Sequence, residues 1–231
     1  MKKTFFLLPA ACLALWTGCQ QSPSSLPLAD EAQHVDPFIG TGFHGHTFPG
    51  ATRPHAMVQL SPDTHIMGWD ASSGYHYDDN QIYGFSHTHL SGTGIGDLGD
   101  VALLPYSGED SIKPIATFSK KSEKAHPGYY AVRLDNFGID VELTATERVG
   151  FHKYSYDNPK ERRVMLDLGH ILQPNWGHRL LNNHYLFVND SIVEGTIETR
   201  GWAHFHTVAY RIAFSEPIET VYQYIGGKLR S

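Results

Sequence analysis

No window of a dozen residues in this 231-residue chain sustains a 3.6-residue apolar period, which argues against a helical core. The chain is instead cut into short runs rich in β-branched and aromatic residues. Strands are predicted at Val101–Leu104, Tyr129–Leu134, Ile139–Ala145, Phe151–Tyr156, Arg163–Leu168, Tyr185–Val188, Ile192–Ile197 and Thr207–Phe214. Phe151 to Tyr156 alternates aromatic and polar side chains, as a strand with one wet face should. Between the runs stand turn formers: Asp135-Asn136-Phe137-Gly138, Asp157-Asn158-Pro159, Asn189-Asp190-Ser191 and Ser215-Glu216-Pro217. Many short strands with regular turns predict an all-β chain folded as an antiparallel β-sandwich. Hydrophobic residues make up 41% and charged residues 18%, enough apolar material for one packed core. Net charge is −6 and no block of five Lys or Arg occurs, so nucleic acid is not expected as a partner.

The first residues read as an address. Lys2 and Lys3 precede an apolar stretch from Phe5 to Trp16, too short to span a bilayer stably as a mature helix. Trp16-Thr17-Gly18-Cys19 resembles a bacterial lipobox, with Trp16 where Leu is usual, and predicts lipidation at Cys19. The alternative is a plain cleaved signal peptide with an incidental cysteine. The chain has two cysteines, and Cys12 would leave with the signal, so no disulfide is expected after processing. Residues 1–19 are therefore assigned to the signal, 20–30 to a Ser/Pro-rich tether, and 31–231 to the sandwich domain. The implied location is the bacterial cell envelope, lipid-anchored and facing either the periplasm or the outside.

Residues 40–99 have few clean strands and are rich in glycine and histidine, the composition of long loops that approach a ligand closely. His87 and His89 form a His-x-His pair that points to one face if extended, as two ligands of one metal would. His76 or Asp97 are possible third ligands by sequence; otherwise the pair lines a polar groove or is satisfied by backbone. Gly94-Ile95-Gly96-Asp97-Leu98-Gly99 fits a dinucleotide fingerprint, but no buried strand precedes it and no helix follows. Trp69 and Asp70 put an indole beside a carboxylate, close to Tyr75 and Tyr77. Sugars present apolar C–H faces and hydroxyl edges, and a ring next to a carboxylate answers both; a core Trp beside a turn Asp is the plainer alternative. Asp78-Asp79 and Glu109-Asp110 are adjacent acids in turn-like sequence, and no pair of acids is placed to flank a glycosidic bond.

Several ordered stretches resemble the N-terminal domain of glycoside hydrolase family 92. They include Val35-Asp36-Pro37-Phe38-Ile39-Gly40-Thr41, His44 through Thr52, Met57 through Asp63, Gly68-Trp69-Asp70 and Ser73 through Tyr77. Phe85 through Gly94, Asp97 through Asp100, Pro127 through Tyr130 and Leu143 through His152 extend the match. The resemblance implies a galactose-mutarotase-like β-supersandwich followed by a large (α/α)6 helical domain. It implies an exo-acting, inverting, calcium-dependent α-mannosidase acting on mannose-containing glycans. The general acid, the general base and the calcium ligands are expected chiefly in the helical domain, with no cofactor held by this chain. By position, Trp69 and Asp70 are the foremost candidates for the mannose pocket, followed by His46, His87 and His89. The chain stops at Ser231, so it is expected to be inactive alone. A free-standing mannan-binding lipoprotein and a His-ligated metal protein are the alternatives.

Overall fold

The computed structural model describes residues 30–108 and 113–230. The signal, Cys19, nearly all of the tether and the Glu109-Asp110 pair lie outside the described residues. In chain order the strands are Ala51–Thr52 (β1), Gln59–Asp63 (β2), Gln81–Ile82 (β3), Gly84–Ser86 (β4), Ala102–Tyr106 (β5), Ala116–Thr117 (β6), Lys124–His126 (β7) and Tyr129–Leu134 (β8). There follow Ile139–Ala145 (β9), Gly150–Tyr156 (β10), Arg163–Asp167 (β11), Arg179–Phe187 (β12), Ile192–Arg200 (β13), His206–Ala213 (β14), Gln223–Ile225 (β15) and Lys228–Arg230 (β16). Among the described residues the only helices are short 3-10 turns.

Two antiparallel sheets face each other, one in the order β1-β2-β4-β5-β11 and one in the order β10-β9-β8-β7. The period-two pattern decides what meets between them. Along β8 the side chains of Tyr130, Val132 and Leu134 are buried while their neighbours are half-exposed. On β9 the same holds for Ile139, Val141 and Leu143. These pack against Leu60, Phe85 and Leu104 of the first sheet to form one core. The β8–β9 turn closes at Gly138, whose φ of 64° is left-handed and whose N–H donates to Leu134 O at 2.9 Å.

The eight expected strands are present, while β1 to β4, β6, β7, β15 and β16 lie outside the expected set; two of the expected strands differ in extent for a clear physical reason. The run starting at Val101 does not stop at Pro105; β5 continues to Tyr106, paired with β11 along its length. Pairing with β4 involves Leu103, so Pro105 lies past that neighbour and its missing N–H costs no bond on that side. Strand β12 begins six residues before the expected Tyr185, because Leu181 to His184 are all exposed and carry no alternation to read. It belongs to a separate three-stranded sheet, β12-β13-β14, whose burial is sparse. Leu181, Leu186, Phe187, Trp202 and Phe205 on and around this sheet are all exposed, Phe205 by 70%.

Phe85 is fully buried at the centre of the shared core. Phe85→Ala is expected to lower stability by about 3–5 kcal/mol, read as a shift in the urea unfolding midpoint. A change below 1 kcal/mol would mean the two sheets do not share that core.

Candidate carbohydrate-binding site

Three loops converge on Trp69. Gly68 (φ 93°) leads into a single 3-10 turn, Trp69–Ala71, closed by Ser72, whose hydroxyl donates to Trp69 O at 2.6 Å. Beneath it, buried Gln173 donates through its side-chain amide to Gly68 O and through its backbone N–H to Ile66 O. The indole is therefore presented outward on a braced turn and is 50% exposed. From the second loop, His46 meets the indole edge-on at 4.5 Å between centroids, and His44 lies at 5.2 Å. Phe43 lies against His44 at 4.1 Å and is itself exposed. The third loop brings Gly94, where a Cβ would stand 3.4 Å from both His46 Nδ1 and Trp69 Nε1.

Asp70 is oriented by His44, whose Nδ1 lies 2.9 Å from its Oδ1. That hydrogen bond holds the Asp70 carboxyl below its ordinary pKa, so the group is an acceptor at neutral pH. His46 is nearly buried, and its Nε2 has no hydrogen-bond partner among the described residues. The surface thus offers a ring face and an ionised carboxylate within one short patch, with the His46 imidazole packed behind the indole. His44 and Phe43 escaped notice in the sequence: they lie 26 residues or more from Asp70, and only folding brings them together.

His87 and His89 lie deeper, in two separate networks. His89 places Nε2 2.8 Å from Asp63 Oδ1 and Nδ1 2.7 Å from Gln59 O. The other oxygen of Asp63 is 2.8 Å from His170 Nε2, so one fully buried carboxylate sits between two imidazoles. Gly74 roofs this cluster; a Cβ there would fall 2.1 Å from Asp63 Oδ1. Burial works against ionising Asp63, but the two histidines outweigh it and hold its pKa well below the usual carboxylate range. Burial likewise opposes charge on His170, and Asp63 reverses the balance and raises its pKa.

His87 belongs to a chain of neutral groups. Tyr154 Oη lies 2.7 Å from His152 Nδ1, His152 Nε2 lies 3.0 Å from His87 Nε2, and His87 Nδ1 lies 2.6 Å from Val101 O. One arrangement satisfies every atom: the tyrosine donates to His152, His152 to His87, and His87 to the carbonyl. Burial lowers the pKa of both histidines, which suits this neutral chain. His76 and Asp97 are elsewhere: His76 Nε2 bonds Phe43 O at 3.0 Å, and Asp97 accepts from Leu98 N and Ala203 N. Among the described residues no three His, Cys, Asp or Glu side chains converge as a metal site. Nor do residues 94–99 open a helix; they run on toward β5 with Leu98 at φ 71°. Asp78 is exposed, whereas Asp79 accepts from the Thr64 hydroxyl at 2.9 Å.

The antiparallel sandwich agrees with the comparisons with known proteins. Residues 34–230 match the glycosyl hydrolase family 92 N-terminal domain, and the chain belongs to that family. Its structure is similar to the family GH92 α-mannosidase BT3965 from Bacteroides thetaiotaomicron, with a TM-score of 0.81 and 33% identity over 86% of this chain. That enzyme is known free and in complex with mannoimidazole. A second GH92 family glycosyl hydrolase, ccman5, is similar with a TM-score of 0.67 and 28% identity over 79% of this chain. An uncharacterized secreted glycosidase of Arthroderma benhamiae is 33% identical over 158 residues, 62% of this chain and 20% of its own length. The chain covers 27% and 28% of the two BT3965 chains and 26% of ccman5.

The Asp63 cluster has a defined pH signature. A depressed carboxylate stabilises the fold above its unfolded pKa of about 3.9 and loses that contribution as pH falls. A raised histidine stabilises below its unfolded pKa of about 6.5 and loses that contribution as pH rises. Together they contribute most between about pH 4 and 6.5. Because His87 and His152 have lowered pKa values and slope the opposite way, the comparison with Asp63→Asn isolates the cluster. At pH 5.5 that substitution is expected to cost about 3–5 kcal/mol in urea unfolding, with a smaller gap at pH 9. A pH-independent gap would rule out the charged pairing.

Proposed function

We propose that this chain is the pocket-forming N-terminal domain of an exo-acting, inverting α-mannosidase, with Trp69 and Asp70 on the wall of the mannose pocket. The convergence of Trp69, Asp70, His44 and His46 on one loop surface carries this proposal. The indole stacks on the apolar C–H face of the sugar, and Asp70, aimed by His44, accepts hydrogens from its hydroxyls. His87 and His89 brace the same loops from beneath. The α-mannosidase relatives support mannose as the sugar.

Acid–base chemistry belongs, on this proposal, to a helical partner domain. Around the recess Asp70 is the carboxylate at the surface; Asp63, Asp97 and Asp100 are buried and engaged with protein groups. On the same proposal calcium belongs to the helical domain, where it would supply electrostatic stabilisation when bound. The exposed apolar side chains of the β12-β13-β14 sheet supply a surface for that domain. Secretion, with lipid attachment at Cys19 in the bacterial envelope, completes the proposal.

Residues 20–231 alone are expected to release no mannose from α-mannobiose; calcium-dependent release by that pure chain would overturn the proposal. A chain extended through the genomic frame following Ser231 should release mannose, and Trp69→Ala should lower its kcat/KM by at least about tenfold. If no such frame exists, a mannan-binding lipoprotein becomes the better description. The shorter chain should also self-associate with rising concentration in sedimentation velocity, and a sharp monomer throughout would count against the docking surface.

A further inference from the structure

The outward face of the β8–β10 sheet is turned away from the core, on the residues that alternate with the core-facing ones. Its side chains are laid out by pairing. Tyr129 on β8 and Phe151 on β10 both pair with Thr144 on β9, so the three form one cross-strand row. Neighbouring strands lie about 4.8 Å apart, which sets the two aromatic residues roughly 10 Å apart with Thr144 between them. The adjoining row carries Glu142 paired with Lys153. These residues line a cleft of about 310 Å³, at the small end of ligand sites.

The cleft is organised before any ligand arrives. The Tyr129 ring is stacked on His126 at 4.8 Å with an interplanar angle of 12°, and its hydroxyl donates to Glu142 Oε1 at 2.8 Å. Burial and that hydrogen bond push the tyrosine pKa up to about 12, so the phenol keeps its proton. Lys153 Nζ donates to the other Glu142 oxygen at 2.5 Å. Opposite this fixed wall, Phe151 is 54% exposed, on a strand whose other outward residues are Lys153 and Ser155.

We propose that this face is a second carbohydrate-binding site, taking a pyranose unit of a neutral glycan chain. The Phe151 ring and the Tyr129 face not stacked on His126 suit the apolar sides of a sugar, while a carboxylate, an ammonium, a phenol and the acceptor oxygen of Thr144, whose hydroxyl donates to Gly128 O at 2.8 Å, suit its edges. Glu142 and Lys153 neutralise each other, so an ionic ligand gains no net attraction here. The choice of mannose as the sugar rests on the α-mannosidase proposal; the site itself does not. The residues that line this cleft all stand on β8, β9 and β10. It would hold polymeric substrate without taking part in cleavage.

Native electrophoresis of the full chain through gels containing soluble α-mannan tests this. Retardation is expected for the wild-type chain and for Trp69→Ala. Phe151→Ala should weaken it about tenfold in apparent Kd, and Phe151→Tyr should restore it. Phe151 is half-exposed, so its truncation spares the core, and an unchanged thermal melt confirms the fold. No retardation of the wild-type chain would overturn the site. Retardation lost in Trp69→Ala but kept in Phe151→Ala would overturn it too, while leaving the proposal for the pocket standing. Mannose release plays no part in this measurement, so the two proposals fail separately.

Discussion

The buried carboxylate of Asp63 ties together three segments of the chain at one point. It stands at the end of β2, takes His89 from the segment after β4, and takes His170 from the segment after β11. A carboxylate with no solvent exposure is costly unless both oxygens are engaged, and here an imidazole lies against each. The arrangement therefore works only if all three segments reach the same point. Gly74 lies directly over it, too close for any side chain, and the backbone carbonyl of Gly74 receives the N–H groups of Thr64 and His65. The Trp69 turn grows from this loop. What faces outward as a candidate sugar platform is thus set by an ion cluster one layer below.

The same logic joins the second sheet system to the first. Asp97 and Asp100, both buried, reach across to the turn between β13 and β14: Asp97 accepts from Ala203 N, and Asp100 lies 3.1 Å from His206 Nε2. Gly201 passes so close that a Cβ would fall 2.1 Å from Asp97 Oδ1. Polar locks rather than a shared apolar core attach this sheet, and its outer apolar residues remain exposed. That division suits a domain whose loops are held rigid while a broad face stays open to a partner.

Histidine plays three physical roles here. His170 is raised by a buried acid, His87 and His152 are held neutral by burial in a directional chain, and His44 serves at the surface to aim Asp70. The His-x-His spacing at positions 87 and 89 carried no information about which role each would take. Two residues apart on the chain, their rings serve different networks because one meets β10 and the other meets β2.

By itself the sequence determined the class of fold and eight of the sixteen strands among the described residues. The alternation along Tyr129–Leu134 and Ile139–Ala145 matches the observed strands residue for residue, because a strand's period of two is a local property. It also singled out Trp69 and Asp70, adjacent in the chain, and the ordered motifs of the family. Tertiary structure alone decided the rest. Pro105 sits inside a strand because its neighbour's pairing involves Leu103 behind it, and β12 runs through a polar stretch because hydrogen bonds to β13, not burial, define it. His44 reaches Asp70, His170 reaches Asp63, and Tyr129 shares a row with Phe151 only once the strands are in register. Contacts between residues tens of positions apart follow from how sheets stack and pair, and no local pattern encodes them.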